Sequence, residues 1–353
     1  MKDVNYGSKE RLLNQFHNDF SKALAEEARI HGLSPESALV EKFKEPELLV
    51  VTGSRLYGTA RYDESGQCIS DIDLRAVVIP PWEYMTPLRN DFEQRDGKDS
   101  EDHLFYSLNF FITQLLAANP QFLDILFVPE ASILKASTVA RELLALKDSF
   151  LSKRFYHRLV GFAYSEFRKA RGEKLVFETE TRSEKEIWDT FRETFGPKWG
   201  SKRKEIADKI KSLAFSNHEI KMVPSVDGIS KKRRHEFEKF GYCASSACHA
   251  LRLLRQTAEL LRTGTMTFPR PDAAELRDVK MGRSTKDAFT LLYENAREDC
   301  DAAYAESKLP EEADHKRIKN WYEEKLALTF ARDKRFKWKA RLACDGHNPG
   351  NPL

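Results

Sequence analysis

Two aspartates, Asp71 and Asp73, stand two residues apart inside an apolar run, "ISDIDLRAVVI". Side chains at i and i+2 of a β-strand leave the same face. A strand over these residues would hold two carboxylates side by side, with Ile72 and Leu74 turned the other way into a core. Like charges held together repel, and each raises the other's pKa unless a cation neutralises them. Mg²⁺, or Mn²⁺ in its place, is such a cation: it prefers oxygen ligands and keeps positions open for phosphates. Two such ions can clamp the attacking and leaving oxygens of an in-line phosphoryl transfer. Upstream, "ELLVVTGS" is a second apolar run that breaks at Gly53-Ser54. Small residues after a strand let backbone N–H groups approach a phosphate, and Ser54 adds a hydroxyl donor. A phosphate-cradling turn and a metal-binding pair in one stretch suit nucleotidyl transfer. A third carboxylate usually completes such a site. Asp102, with Glu101 as the alternate, opens the next expected strand, "EDHLFYSL".

The elements that must position these groups follow from periodicity. Apolar residues at Leu12, Leu13, Phe16, Phe20 and Leu24 predict a helix from about Lys9 to Ile30, stopped near Gly32. "PELLVVTGS" reads as a strand entering a tight turn. "CISDIDLRAVVIP" reads as a strand halted by Pro80-Pro81. The spacer "RYDESGQC" reads as a turn, extended into a hairpin tip. A third strand then leads into a helix beginning near Ser107 and ending at Asn119-Pro120. From about Ser149 the chain is predominantly helical, with strong helices in "GYCASSACHALRLLRQTAELLRTG", "PDAAELRDVKMG", "STKDAFTLLYENAREDCDAAYAESK" and "DHKRIKNWYEEKLALTFARDKRF". The stretch from Glu173 to Ser230 is polar and has no clear period. The fold class is therefore α+β. It comprises a small α/β catalytic domain over residues 1–147, a mainly α-helical module over 148–342 and a loose tail over 343–353.

Several basic and aromatic residues are candidates for nucleotide contact. Arg55 and Arg75 flank the turn and the aspartate pair, and each could neutralise carboxylates or reach a phosphate. Arg75 continues the same-face series of Asp71 and Asp73, which favours the site. His249, Arg252 and Arg255 recur at helical spacing, and arginine suits bidentate phosphate contact. On the opposing view, a helix that buries Leu251, Leu253 and Leu254 simply exposes its arginines. Tyr242 could stack on a base or be an ordinary partly buried residue. "RDKRFKWKARL" interleaves cations with Phe336 and Trp338, as single-strand binders do and as an amphipathic helix end also does.

Net charge is only +3, but residues 151–240 carry 22 lysines and arginines against 14 acidic residues. That basic middle matches either an anionic partner or a solvated helical surface. The five cysteines are scattered without a CxxC pair, which argues against a zinc site or a disulfide framework. No apolar run is long enough for a transmembrane helix, and the first residues lack a signal-peptide core. The expected location is the cytoplasm, with no membrane partner.

These residues resemble a known family. "GSRLYG", then "SDIDLR", then a later carboxylate are similar to the signature of the DNA polymerase β nucleotidyltransferase superfamily. The blocks "DHLFYSLNFFITQLLAANPQFLDILFVP", "GFAYSEFRKAR" and "GYCASSACHALRLLRQTAELLRTGTMTFP" resemble one branch of it, the polymerase-β-like proteins of RNA repair pathways. The resemblance implies phosphate binding at Gly53 and Ser54. It implies two metal ions on Asp71, Asp73 and Asp102, and basic contacts near the triphosphate from Lys169, His249 and Arg252. The chain departs from the pattern in its longer spacer around "RYDESGQC", in Cys243 where an acid is expected, and in Ala76 where glycine is expected. The implied reaction moves a nucleoside monophosphate from a triphosphate to an acceptor hydroxyl, foremost an RNA 3′ end such as that of tRNA or a broken RNA. Two other readings stand beside it: the same chemistry on a protein hydroxyl, and a silent nucleotide- or RNA-binding protein. The intact aspartate pair argues against silence.

Overall fold

The computed structural model describes residues 10–14, 46–80, 94–96, 103–177, 220–224 and 231–332. Residues 10–14 form a helical turn whose Leu12 is buried. The rest of the helix expected there lies outside the described residues. So do "RDKRFKWKARL" beyond Arg332, the tail, Cys344 and the carboxylates Glu101 and Asp102.

A mixed five-stranded sheet follows. Its strands are β1 (Leu48–Thr52), β2 (Asp73–Val78), β3 (Gln94–Asp96), β4 (His103–Ser107) and β5 (Ile133–Ala136), in the order β3-β4-β2-β1-β5. Among the described residues only the β2–β4 pair is parallel. β1 is an interior strand, flanked by β2 and β5, and all five of its residues are buried, which is why Leu48–Val51 read as an apolar run. On one face Leu49, Val51, Leu74, Ala76, Val78 and Phe105 make a core with Leu12 and Leu134. Register sets Leu49 opposite Ala76 and Val51 opposite Leu74, so the alternate residues Thr52, Asp73 and Arg75 leave the other face.

Helix α1 (Gly53–Tyr57) follows β1 without a linker. α2 (Leu108–Leu116) starts where Ser107 accepts a hydrogen bond from the Phe110 N–H. α3 (Pro120–Leu126) is capped by Asn119, with Pro120 in its first turn. α4 (Thr138–Ala145) and α5 (Lys147–Phe150) lead to α6 (Arg154–Arg171). β6 (Glu173–Phe177) and β7 (Ile220–Pro224) pair antiparallel as a separate two-stranded sheet inside the stretch whose sequence showed no period. The remaining helices are α7 (Lys231–Phe240), α8 (Ala244–Thr263), α9 (Ala273–Lys280), α10 (Lys286–Glu306) and α11 (His315–Arg332). The α+β class is as expected, with a sheet-bearing front and a helical remainder.

The chain divides into two compact units that interleave in sequence. The first comprises Met1–Gly161, Arg252–Arg277 and Asn295–Leu353, and the second Phe162–Leu251 and Asp278–Glu294. The boundary expected at 147/148 thus falls inside the first unit, because later helices return to the part that carries the sheet. In the first unit, Arg262 on α8 forks onto both oxygens of Asp299 on α10, at 3.0 and 2.7 Å. Hydrogen bonding from Arg262 holds the Asp299 carboxyl below the usual carboxylate range. A lowered folded pKa contributes stability above the unfolded value of about 3.9 and loses it as pH falls through the folded pKa. Both partners are partly exposed, so solvent screening keeps the contribution under about 1 kcal/mol. Arg262→Ala should lower the thermal midpoint at neutral pH, with the difference vanishing once Asp299 is protonated. Melts across pH check this.

In the second unit, Phe167, Tyr242, Phe289 and Tyr293 form an aromatic core. The Glu236 carboxylate accepts from both the N–H and the hydroxyl of Ser245 at the start of α8.

Candidate active site

The turn after β1 is built around one close approach. Gly53 has φ +65, and a Cβ placed there would lie 1.6 Å from Oδ2 of Asp73. The carboxylate therefore occupies the space that a side chain at position 53 would take. This ties two motif residues twenty positions apart in the sequence to one another. The Thr52 hydroxyl donates to the Asp73 carbonyl at 3.4 Å and does not cap α1. The amides of the first turn of α1 are thus left to other acceptors.

Asp71 stands differently from the expectation that both aspartates lie on one strand. β2 begins at Asp73, and Asp71 precedes it, exposed. The reason is ladder length. Thr52, the last residue of β1, pairs with Asp73, and His103, the first of β4, pairs with Leu74. The chain before Asp73 is held by a side chain instead. Arg55 donates from Nη2 to the Ser70 carbonyl at 3.0 Å and from Nε to the Asp71 carbonyl at 3.4 Å. Of the two roles open to Arg55, the structure shows a structural one, exerted on carbonyls rather than carboxylates. Arg75 shares the Asp73 face and donates to the Leu74 carbonyl at 2.9 Å.

The spacer is a small hairpin. Tyr62 and Cys68 form an antiparallel bridge. Asp63 Oδ1 closes the tip by accepting from the Ser65 N–H, the Ser65 hydroxyl and the Gln67 N–H. These bonds, that of the Ser65 hydroxyl foremost, hold its carboxyl below the ordinary range. Tyr62 and Ile69 are exposed on its stem. Ser70 is buried at its base, where its hydroxyl accepts from the Arg61 N–H at 2.8 Å.

The far end of α1 is anchored by residues that the sequence reading did not select. The Tyr57 hydroxyl donates to Asp124 Oδ2 at 2.5 Å. Asp124 also accepts from Arg252 at 3.3 Å and from Gln256 at 3.1 Å. Burial raises the pKa of the Tyr57 phenol and pushes the Asp124 carboxyl upward, with Arg252 opposing the shift in both. The Tyr57 carbonyl accepts from the Arg270 N–H at 3.1 Å, and the Gly58 carbonyl accepts from Arg277 Nη2 at 2.5 Å. The signal for Asp124 was available: it is a lone acid in the apolar run "FLDILF".

Arg252 therefore takes another place than the one expected. It is buried, with its guanidinium 3.8 Å from the Tyr57 ring centroid and paired with Asp124. Arg255, a turn on, pairs with Asp272 and Glu275. In the second unit, Tyr242 is fully buried. It donates to the carbonyls of Val279 and Ser284 and its ring stacks on Phe289. Packing thus replaces the base-stacking expectation for Tyr242. Two of the expected cations do meet there. Lys169 Nζ is 2.5 Å from Glu166 Oε1, and His249 Nδ1 is 3.8 Å from Glu166 Oε2. Burial raises the Glu166 carboxyl, but Lys169 and His249 outweigh it and leave it below its usual range. Glu166 was not selected from sequence either.

The family model described as the RNA repair pathway DNA polymerase beta family matches residues 47–339. The chain belongs to this family. By that description it is a polymerase-β-like nucleotidyltransferase tied to an RNA repair pathway. The match to the RNA repair polymerase β family covers the turn, both aspartates, the hairpin between them and the helices α2 to α11. A relative in Enterobacteria phage T4, an uncharacterised 38.9 kDa protein of the nrdC–mobD intergenic region, is 22% identical over 330 residues. That alignment spans 79% of this chain and 92% of the phage protein. No solved structure matches the chain. No helix among the described residues is long and apolar enough to cross a membrane.

The donor set fits a divalent metal. Asp71 and Asp73 offer only carboxylate oxygens, the ligands that hard cations take. The missing Cβ of Gly53 keeps the Asp73 carboxylate next to the turn. Among the described residues no group of three or more His, Cys, Asp or Glu is drawn together as a cage. The expected third carboxylate lies outside them.

Proposed function

We propose that this chain is a cytoplasmic, Mg²⁺- or Mn²⁺-dependent nucleotidyltransferase that moves a nucleoside monophosphate from a nucleoside triphosphate to an RNA 3′ hydroxyl. The observation that carries this reading is the seating of the Asp73 carboxylate against Gly53 at the head of α1. In this chain that contact joins the aspartate motif to the turn that the resemblance assigns to phosphate. The amides of Gly53 and Ser54 face the triphosphate, where oriented N–H donors stabilise phosphate charge without reorganising. Asp71 and Asp73, with Asp102 as third ligand, would hold two divalent ions. Bound there, the ions neutralise phosphate charge and polarise the reacting phosphoryl group. Asp102 takes the proton from the acceptor hydroxyl. The hydroxyl oxygen bonds to the α-phosphorus as the bond to the bridging oxygen breaks, and pyrophosphate leaves. Arg75 supplies a further cation to the face that carries Asp73. The basic stretch over residues 151–240 suits an RNA partner.

The test is transfer of label. The protein is incubated with each labelled triphosphate, Mg²⁺ or Mn²⁺, and either tRNA, nicked RNA or total protein. Label on RNA ends supports the reading, and label confined to protein replaces it with protein nucleotidylylation. Binding of triphosphate with no transfer replaces it with a binding module.

The hairpin is expected to govern partners rather than metal. Cutting Asp63–Gly66 down to a tight two-residue turn should change nucleotide or acceptor preference and leave Mn²⁺ affinity within about twofold, because the metal ligands lie beyond Ser70. Loss of Mn²⁺ binding in the trimmed protein would contradict this.

A further inference from the structure

Asp124 is 3% exposed and sits between Leu123 and Ile125, both fully buried. A carboxylate in such a place persists only when its oxygens are matched. Here they are. Oδ2 accepts from the Tyr57 hydroxyl at 2.5 Å and from Arg252 at 3.3 Å, and Oδ1 accepts from Gln256 at 3.1 Å. Arg252 also donates to Gln256 Oε1 at 2.5 Å and lies over the Tyr57 ring. The four side chains come from three helices: Tyr57 from α1, Asp124 from α3, and Arg252 and Gln256 from α8.

A buried ion pair is a poor device for stability, since well-packed apolar residues do as well or better. What a fully satisfied network supplies is one fixed geometry. The element fixed here is α1, only five residues long, with Gly53 at its first position and Tyr57 at its last. So short a helix buries one core residue, Leu56, and its direction depends further on what holds its ends. At the head, Gly53 meets the Asp73 carboxylate. At the foot, the hub holds Tyr57.

We propose that Asp124 is a positioning residue: with Arg252 and Gln256 it fixes Tyr57 and thereby aims the Gly53–Ser54 amides and the Asp73 carboxylate at the reacting phosphates. This rests on the nucleotidyltransferase reading. It gives Arg252 a role one step removed from the phosphates.

The variant of choice is Tyr57→Phe in the full chain. It removes one hydroxyl and leaves Asp124 paired with Arg252 and Gln256, so no buried charge is stranded. Asp124→Asn is the second variant. Three quantities are read: kcat for transfer, Kd for the triphosphate, and hydrogen exchange of the amides of residues 54–58. The expected result for Tyr57→Phe is a fall in kcat of about tenfold or more, as for misaligned reactants, with Kd changed less than about threefold. Exchange of the α1 amides quickens, and the thermal midpoint moves little. A purely structural role would lower the midpoint and leave kcat per folded molecule intact. Wild-type kcat with unchanged exchange in Tyr57→Phe overturns the proposal. If the wild-type chain transfers nothing, the functional reading falls. The exchange rates then decide the anchoring alone: quickened exchange supports it and unchanged exchange overturns it.

Discussion

Asp73→Asn lowers the rate of nucleotide transfer by about 10³-fold or more while the protein stays folded. Asparagine keeps the shape of the side chain and its place against Gly53, but it removes the negative charge. The loss corresponds to several kcal/mol of charge stabilisation at the transition state, the scale of metal-ion catalysis. The Thr52 hydroxyl contacts the backbone carbonyl of residue 73, so the end of the ladder survives the change. Transfer kinetics and Mn²⁺ binding by electron paramagnetic resonance check the expectation. Transfer above about a tenth of the wild-type rate would remove Asp73 from the metal site. Asp71→Asn should behave in the same direction. Its effect separates the two aspartates, because Asp73 is held by the sheet and Asp71 by Arg55 through backbone carbonyls.

Gly53→Ala should cost both stability and rate. The left-handed backbone alone costs about 1–2 kcal/mol for a residue with a Cβ. The methyl would also fall 1.6 Å from Asp73 Oδ2, so the carboxylate must leave its place. A misplacement of about 1 Å at a reacting centre costs about 10²-fold in rate. The two effects can be parted. Gly264 has φ +68 and a nearest neighbour at 3.7 Å, so Gly264→Ala pays for the backbone and meets no clash. Both variants should melt earlier, and only Gly53→Ala should lose transfer. Equal transfer rates in the two would show that the contact with Asp73 does not matter.

The strands around the site were legible in the sequence because both signals are local. β1 is a buried apolar run ending in Gly-Ser, and β2 alternates around Leu74 and Ala76. Ser107 and Gly264 marked helix ends in the same local way. What stayed hidden depends on distant partners. The start of β2 is set by where β1 ends, at Thr52 opposite Asp73, so Asp71 fell off the strand. Arg252 lies on a helical face beside His249, but only the fold brings Asp124 within its reach. Tyr242 carried no mark that separates a stacking platform from a core ring. Its two carbonyl acceptors lie 37 and 42 residues on. β6 and β7 escaped because their pairing spans a polar stretch without periodicity.

The anchoring of Gly58 bears on how the protein is made. Its carbonyl accepts from Arg277, 219 residues further along the chain. At about 5–20 residues per second, a ribosome needs about 10–40 s to synthesise that interval. The sheet strands are complete long before then, yet the foot of α1 lacks Arg252, Gln256, Arg270 and Arg277 until nearly four-fifths of the polypeptide has been translated. A nascent or truncated chain ending before Arg277 thus carries the motif residues without all the contacts that hold the foot of α1. On the proposed reading, competence for transfer would come late in synthesis, after the strands of the sheet.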